Sequence, residues 1–171
     1  MDQDPIKNRE VSAGVIIYRT TREGPKFLLL YISGRYWNFP KGKLDNESRV
    51  EAAKREVHEE TGIAPADLRF RENFKVRDRF TFTRDRERIF KTVTFFLAET
   101  TKSRIQLPPY DERDKGEPHN GYGWFLYQDA LRMLMAPNLK RNLKRAYAHI
   151  VHKPGVPGSR TTVSEHARPR Q

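Results

Sequence analysis

GKLDNESRVEAAKREVHEETGI, residues 42–63, is the stretch that decides the fold. Asn46 is a suitable N-cap, Glu47 puts negative charge in the first turn, and Gly62 is a suitable C-cap, so the segment reads as a helix. Val50, Ala53 and Val57 form one apolar stripe. Glu56, Glu59 and Glu60 stand at i, i+3 and i+4 and share a second face. Three like charges there repel one another and cost helix stability. A hard divalent cation removes that cost, because Mg²⁺ takes carboxylate oxygens and keeps water and substrate phosphate as its other ligands. The plainer alternative is a solvated acidic face paired with Lys54, Arg55 and His58, with Arg55 an internal partner of a glutamate and not a substrate contact.

Outward from this helix the chain reads mainly as strands. Residues 11–19 (VSAGVIIYR) and 26–33 (KFLLLYIS) are apolar strands, joined by a turn over 21–25 into a hairpin. Residues 34–45 (GRYWNFPKGKLD) are a loop dense in Gly, Pro and Lys. Residues 68–82 alternate as a half-buried, bent strand, with Glu72 and Asp78 interrupting the apolar parity. A charged turn at 83–88, a strand at 89–98, a long loop at 101–120 and a last strand at 121–127 follow. Two helices close the pattern, at 128–135 and from about Asn138, the second with Leu139, Leu143 and Ile150 on its apolar side. Periodicity therefore predicts an α+β or α/β/α layered domain. It spans residues 10–152, after a short extension at 1–9 and before a basic tail at 153–171, which lacks apolar periodicity and reads as disordered.

The run Arg55, Glu56, Val57, His58, Glu59, Glu60, Thr61, Gly62, Ile63, preceded by Gly42 and Glu47, resembles the Nudix box. The spacing between Gly42 and Glu47 (KLDN) is one residue shorter than the family pattern, while the interval from Glu47 to Arg55 matches it. The resemblance implies a Nudix α/β/α sandwich, with a mixed sheet and a central catalytic loop-helix-loop. It also implies a pyrophosphohydrolase using Mg²⁺, or Mn²⁺ in its place. Gly42 (through its carbonyl), Glu56, Glu59 and Glu60 would be the metal ligands, and Glu47 and Arg55 would belong to the catalytic set.

Beyond the box, WNFPKGK, NFKVRDRF, KTVTFFLAE, HNGYGW and NLKRNLKRA are similar, in order, to segments of the asymmetric diadenosine tetraphosphate hydrolases. That similarity implies a nucleotide polyphosphate substrate cleaved by water attack at phosphorus. Lys41 and Lys91 would bind phosphate, with Lys43 beside them on the surface; a lysine ammonium is a compact point charge suited to that task. Phe80 replaces a tyrosine of the subfamily and keeps its stacking face. With Tyr122 it would sandwich a base, next to His119. Glu117, or Glu112 in the same loop, would be the further glutamate that some relatives use, and Trp37 and Trp124 would serve packing.

Composition narrows the remaining choices. The chain of 171 residues carries 33 Lys plus Arg against 22 Asp plus Glu, a net charge of +11. That field attracts polyanions, RNA among them, without choosing between them. With no cysteine, disulfides, thiolate metal sites and cysteine nucleophiles are excluded. No apolar run is long enough to span a membrane, so no membrane partner is expected and a cytoplasmic location is. Rival readings are an RNA 5′-end pyrophosphohydrolase or decapping enzyme, an inositol pyrophosphate hydrolase, and a Nudix module that binds nucleotide without turnover. Oligomeric state is left open.

Overall fold

A computed structural model describes residues 8–110 and 117–152. Glu112, the tail at 153–171 and all of the N-terminal extension except Asn8 and Arg9 lie outside the described residues. β1 (Arg9–Thr21) and β2 (Gly24–Ile32) form the expected hairpin, closed by a two-residue turn after the Thr21–Gly24 pair. Their pairing lasts only from Tyr18–Phe27 to that turn. Beyond it the two strands diverge, and the segment read as a plain loop fills the wedge. It does so with two short strands, β3 (Tyr36–Asn38) on β2 and β4 (Lys41–Lys43) on β1. Phe39, 1% exposed, plugs the wedge edge-on to Phe95 at 5.5 Å, and the Pro40 carbonyl accepts from Val15 N at 3.1 Å.

The sheet is mixed. β5 (Arg69–Arg84) pairs antiparallel with β6 (Glu87–Glu99), and β6 runs parallel to β1 over ten residue pairs. β7 (His119–Leu126) covers the far side of β2. The expected bend in β5 is a register shift between Phe70 and Lys75, with Asn73 at φ 60. Asp85 and Arg86, both at positive φ, make the tight turn that matches strand twist in hairpins.

Alternation assigns each strand residue to one of two cores, as a layered sandwich requires. Ile16, Tyr18, Phe27, Leu29 and Phe95 face α2 (Tyr127–Met133) and α3 (Pro137–Val151), which bring Ala130, Leu139, Leu143 and Ala146. Val15, Ile17, Leu28 and Leu30 face α1 (Arg49–Thr61), which brings Ala52, Ala53 and Val57. Complete burial of a side chain such as Leu143 contributes about 1.5–3 kcal/mol. Asp78, an interruption of the apolar parity, is 5% exposed and is satisfied across the layer by the side-chain amides of Asn138 (2.9 Å) and Asn142 (2.6 Å).

The start of α1 differs from expectation. Ser48, not Asn46, is the N-cap: its hydroxyl accepts from Glu51 N, and the Glu51 carboxylate accepts from Ser48 N at 2.9 Å. That reciprocal pair is a capping box, worth about 1 kcal/mol for the cap residue. Asn46 sits at φ 50 in the loop, and Glu47 therefore precedes the helix instead of lying in its first turn. Gly62 ends the helix as expected, at φ 72 with its N–H on the His58 carbonyl. Among the described residues no helix is long and apolar enough to cross a membrane.

Candidate active site

The wedge and α1 together build a cleft of about 310 Å³ lined by Ile32, Asn38, Lys41, Glu56, Glu60 and Glu117, with Gly42, Lys43 and His119 also on its wall. Gly42 lies opposite Ala13 in the β4–β1 ladder, so its backbone faces α1. A Cβ there would fall 2.0 Å from the Glu56 carboxyl carbon. Only a glycine lets the strand backbone lie against that carboxylate, and the short KLDN spacing does not disturb the approach.

The glutamates are held separately. Glu60 accepts from Lys41 N–H at 3.0 Å through one oxygen, and its other oxygen lies 3.1 Å from His119 Nε2. Glu56 and Glu59 share the Arg55 guanidinium, at 2.8 and 3.1 Å. Arg55 also donates to Glu47 at 2.6 Å and to the Lys43 carbonyl at 2.9 Å. The Glu47 bond first, and the Glu56 and Glu59 charges after it, hold the Arg55 pKa above its usual value. Arg55 is thus an internal partner that ties the loop before α1 to the carboxylate face, and Glu47 is its anchor. Burial pushes the Glu56 pKa up, and Arg55 only partly offsets this.

Among the described residues, no three carboxylate or imidazole groups already converge at ligand distance. The donor set nevertheless suits a hard divalent cation: three carboxylates on one helix face, a glycine backbone in contact with one of them, and no thiolate. A cation would also supply the charge that buried Glu56 lacks.

Other candidates fall into place by strand and face. Glu117 accepts from the Tyr36 hydroxyl at 2.6 Å, and burial together with that carboxylate raises the Tyr36 pKa. Tyr36 is a site residue that sequence reasoning missed; the SGRYWNF stretch showed a tyrosine but not its partner. Lys43, 61% exposed along its side chain, pairs with Glu10 at 3.1 Å, so it is a surface ion-pair partner. Lys91 is mostly buried 3.6 Å from the same carboxylate, and burial followed by the Lys41 charge lowers its pKa.

Phe80 and Tyr122 do not sandwich one base. Phe80 pairs with Lys91 and points to the α2/α3 face, whereas Tyr122 pairs with Leu30 and points to the α1 face. Four strand spacings of about 4.8 Å separate β5 from β7 as well. Phe80, 44% exposed, instead walls a second cavity of about 560 Å³ with Asp78, Pro137, Asn138 and Arg141. Asn38 and Lys41 line both this cavity and the carboxylate cleft, so the two adjoin at the wedge. Trp37 and Trp124 pack, as expected, against the two cores.

A helix carrying these glutamates beside a glycine strand, in a mixed sheet between helices, defines a class. The NUDIX domain model matches residues 8–148, and the chain belongs to the Nudix family; it is a pyrophosphohydrolase. Within the family it is similar to the asymmetrical bis(5′-nucleosyl)-tetraphosphatases. The mouse enzyme is 30% identical over 132 residues, covering 75% of this chain and 83% of the relative. The rat enzyme is 30% identical over 155 residues, covering 84% and 97%. Among solved structures, a binary complex of the Caenorhabditis elegans Ap4A hydrolase superposes with a TM-score of 0.67 at 26% identity, covering 82% of this chain and 97% of that one. Nudix hydrolases generally use divalent metals.

Proposed function

We propose that this enzyme hydrolyses a dinucleoside polyphosphate of the diadenosine tetraphosphate type, with Mg²⁺, or Mn²⁺ in its place, as cofactor. One observation carries the reading: the carboxylate cleft and the Phe80 cavity adjoin at the wedge, with Asn38 and Lys41 lining both. A polyphosphate with a base at one end has that shape and polarity. The base stacks on Phe80, the phosphates pass Lys41 and Lys91, and the scissile anhydride reaches Glu56, Glu59 and Glu60.

Those three carboxylates, with Gly42, would hold the cation, which activates water and neutralises charge on the anhydride. Arg55 positions Glu56 and Glu59, while the Lys41 N–H and His119 fix Glu60. Glu117, which accepts from the Tyr36 hydroxyl and lines the same cleft, would take a proton from water. Tyr122, on the other face, has no part in base stacking. The similarity to the mouse and rat tetraphosphatases supports this substrate class over the rivals.

The test is kcat/KM measured with Mg²⁺ on diadenosine polyphosphates, nucleotide sugars, an inositol pyrophosphate and 5′-triphosphate RNA. Diadenosine tetraphosphate should lead by at least tenfold. Preference for the RNA or the inositol pyrophosphate would replace the proposal with that rival.

A further inference from the structure

Another cavity, of about 810 Å³, opens where the sheet runs past the N-terminus of α1. Arg9, Arg49, Arg79, Thr81, Phe90 and Thr92 line it from the α1 side, while Glu10, Phe80 and Lys91 also border it, so it adjoins the Phe80 cavity at Arg79 and Phe80. Alternation explains its chemistry. Arg9 pairs with Phe90, Thr81 with Phe90, Arg79 with Thr92 and Thr83 with Arg88, so all of these side chains share the α1 face. On the α2/α3 face of the sheet, Lys43 from β4, Arg84 from β5 and Lys91 from β6 all converge on Glu10.

On the α1 face no such neutralisation occurs. Among the described residues, no carboxylate lies within ion-pair distance of Arg9, Arg49, Arg79 or Arg88, and all four are exposed. Between them Phe90 is 50% exposed, with the Arg88 guanidinium 5.5 Å from its ring centroid. Threonine hydroxyls fill the gaps.

We propose that this open sheet face binds single-stranded nucleic acid, with bases stacked on Phe90 and Arg88 and phosphates on Arg9, Arg49 and Arg79. Arginines without carboxylate partners complement a polyanion. An exposed ring on a strand offers a face to any base, as sheet platforms for single strands do. A lipid surface calls for a protruding apolar edge, whereas this surface is a concave sheet floor. The site adjoins the Phe80 cavity, but the residues proposed to hold the strand, Arg9, Arg49, Arg79, Arg88 and Phe90, are not those given to the hydrolytic substrate.

The experiment is fluorescence anisotropy of a fluorescein-labelled ten-nucleotide oligouridylate with the full chain, over roughly 50–200 mM salt. Phe90→Leu keeps the apolar volume and loses the ring; it should weaken binding by about fivefold or more, and Phe90→Tyr should restore it. Arg9→Ala with Arg88→Ala should weaken binding and flatten the slope of log affinity against log salt by about 0.7 for each phosphate that is no longer neutralised. Lys140→Ala with Lys144→Ala, on α3, should leave affinity within about twofold. Phe90→Leu should also leave hydrolysis of a small dinucleotide unchanged. Wild-type affinity in both the Phe90 and arginine variants overturns the proposal. So does an effect confined to sedimentation with phosphatidylserine vesicles, which would assign the face to a membrane.

Discussion

Gly42→Ala separates folding from catalysis at one atom. The added Cβ would lie 2.0 Å from the Glu56 carboxyl carbon and 2.1 Å from both its oxygens. Unbonded carbon atoms rest at about 3.5–4.0 Å, so the carboxylate must withdraw by about 1.5 Å or more. It can do so, because it ends a flexible side chain, but it then leaves the 2.8 Å bond to Arg55 and the face it shares with Glu60. Stability should fall by about 1–3 kcal/mol, the scale of overpacking a filled site. A misplacement of about 1 Å at a reacting centre costs roughly a hundredfold in rate. Stopped assays with saturating Mg²⁺ should therefore show kcat down about a hundredfold, in a protein whose urea unfolding stays cooperative at a somewhat lower midpoint. Gly121→Ala serves as the control, since its Cβ would meet nothing nearer than 3.8 Å. A Gly42→Ala enzyme with wild-type kcat would refute the placement of Glu56 at the reacting centre.

Lys91→Ala should raise KM for a polyphosphate by about 1–3 kcal/mol with kcat little changed. Because its pKa is lowered, wild-type affinity should fall at a pH below the ordinary lysine range, and Lys91→Arg should abolish that alkaline limb; a KM independent of both changes would return Lys91 to a structural role. Asp78→Ala strands two amides, one on nearly fully buried Asn142, and should cost about 1–3 kcal/mol in urea unfolding, whereas Asp78→Asn, which keeps an acceptor, should cost less. For Glu10, burial raises the pKa but Lys43 and Arg84 outweigh it, leaving the folded value below 4.5. Its contribution is then complete above pH 4.5 and is lost as pH falls through the folded value, so Glu10→Gln should flatten the acid limb of stability in that window.

How much of this was legible depends on the range of the interaction. The carboxylate helix was readable because Glu56, Glu59, Glu60 and Gly62 sit within one local motif. Its start was misread because Asn46 is a good N-cap by type; the better sign was Ser48 followed by Glu51, the signature of a capping box. β3 and β4 escaped because three residues carry no period, and only their pairing with diverging β1 and β2 makes them strands. The Phe80–Tyr122 sandwich failed because sequence gives neither the lateral order of strands nor which face a strand beyond a bulge presents. Asp78 looked like a break in β5, yet its partners lie sixty residues on, in α3. The fixed position of Glu60 was equally hidden, since Lys41 and His119 reach it from separate strands.

If the α1 carboxylates split a dinucleoside polyphosphate asymmetrically, as the names of the mouse and rat relatives describe for those enzymes, the products report it. The most direct test is product analysis of diadenosine tetraphosphate incubated with Mg²⁺ and either the wild-type enzyme or Glu60→Gln. Equimolar ATP and AMP are expected from the wild type, with loss of most turnover in a folded Glu60→Gln variant. Two ADP as product, or undiminished turnover without the Glu60 carboxylate, would contradict that reading.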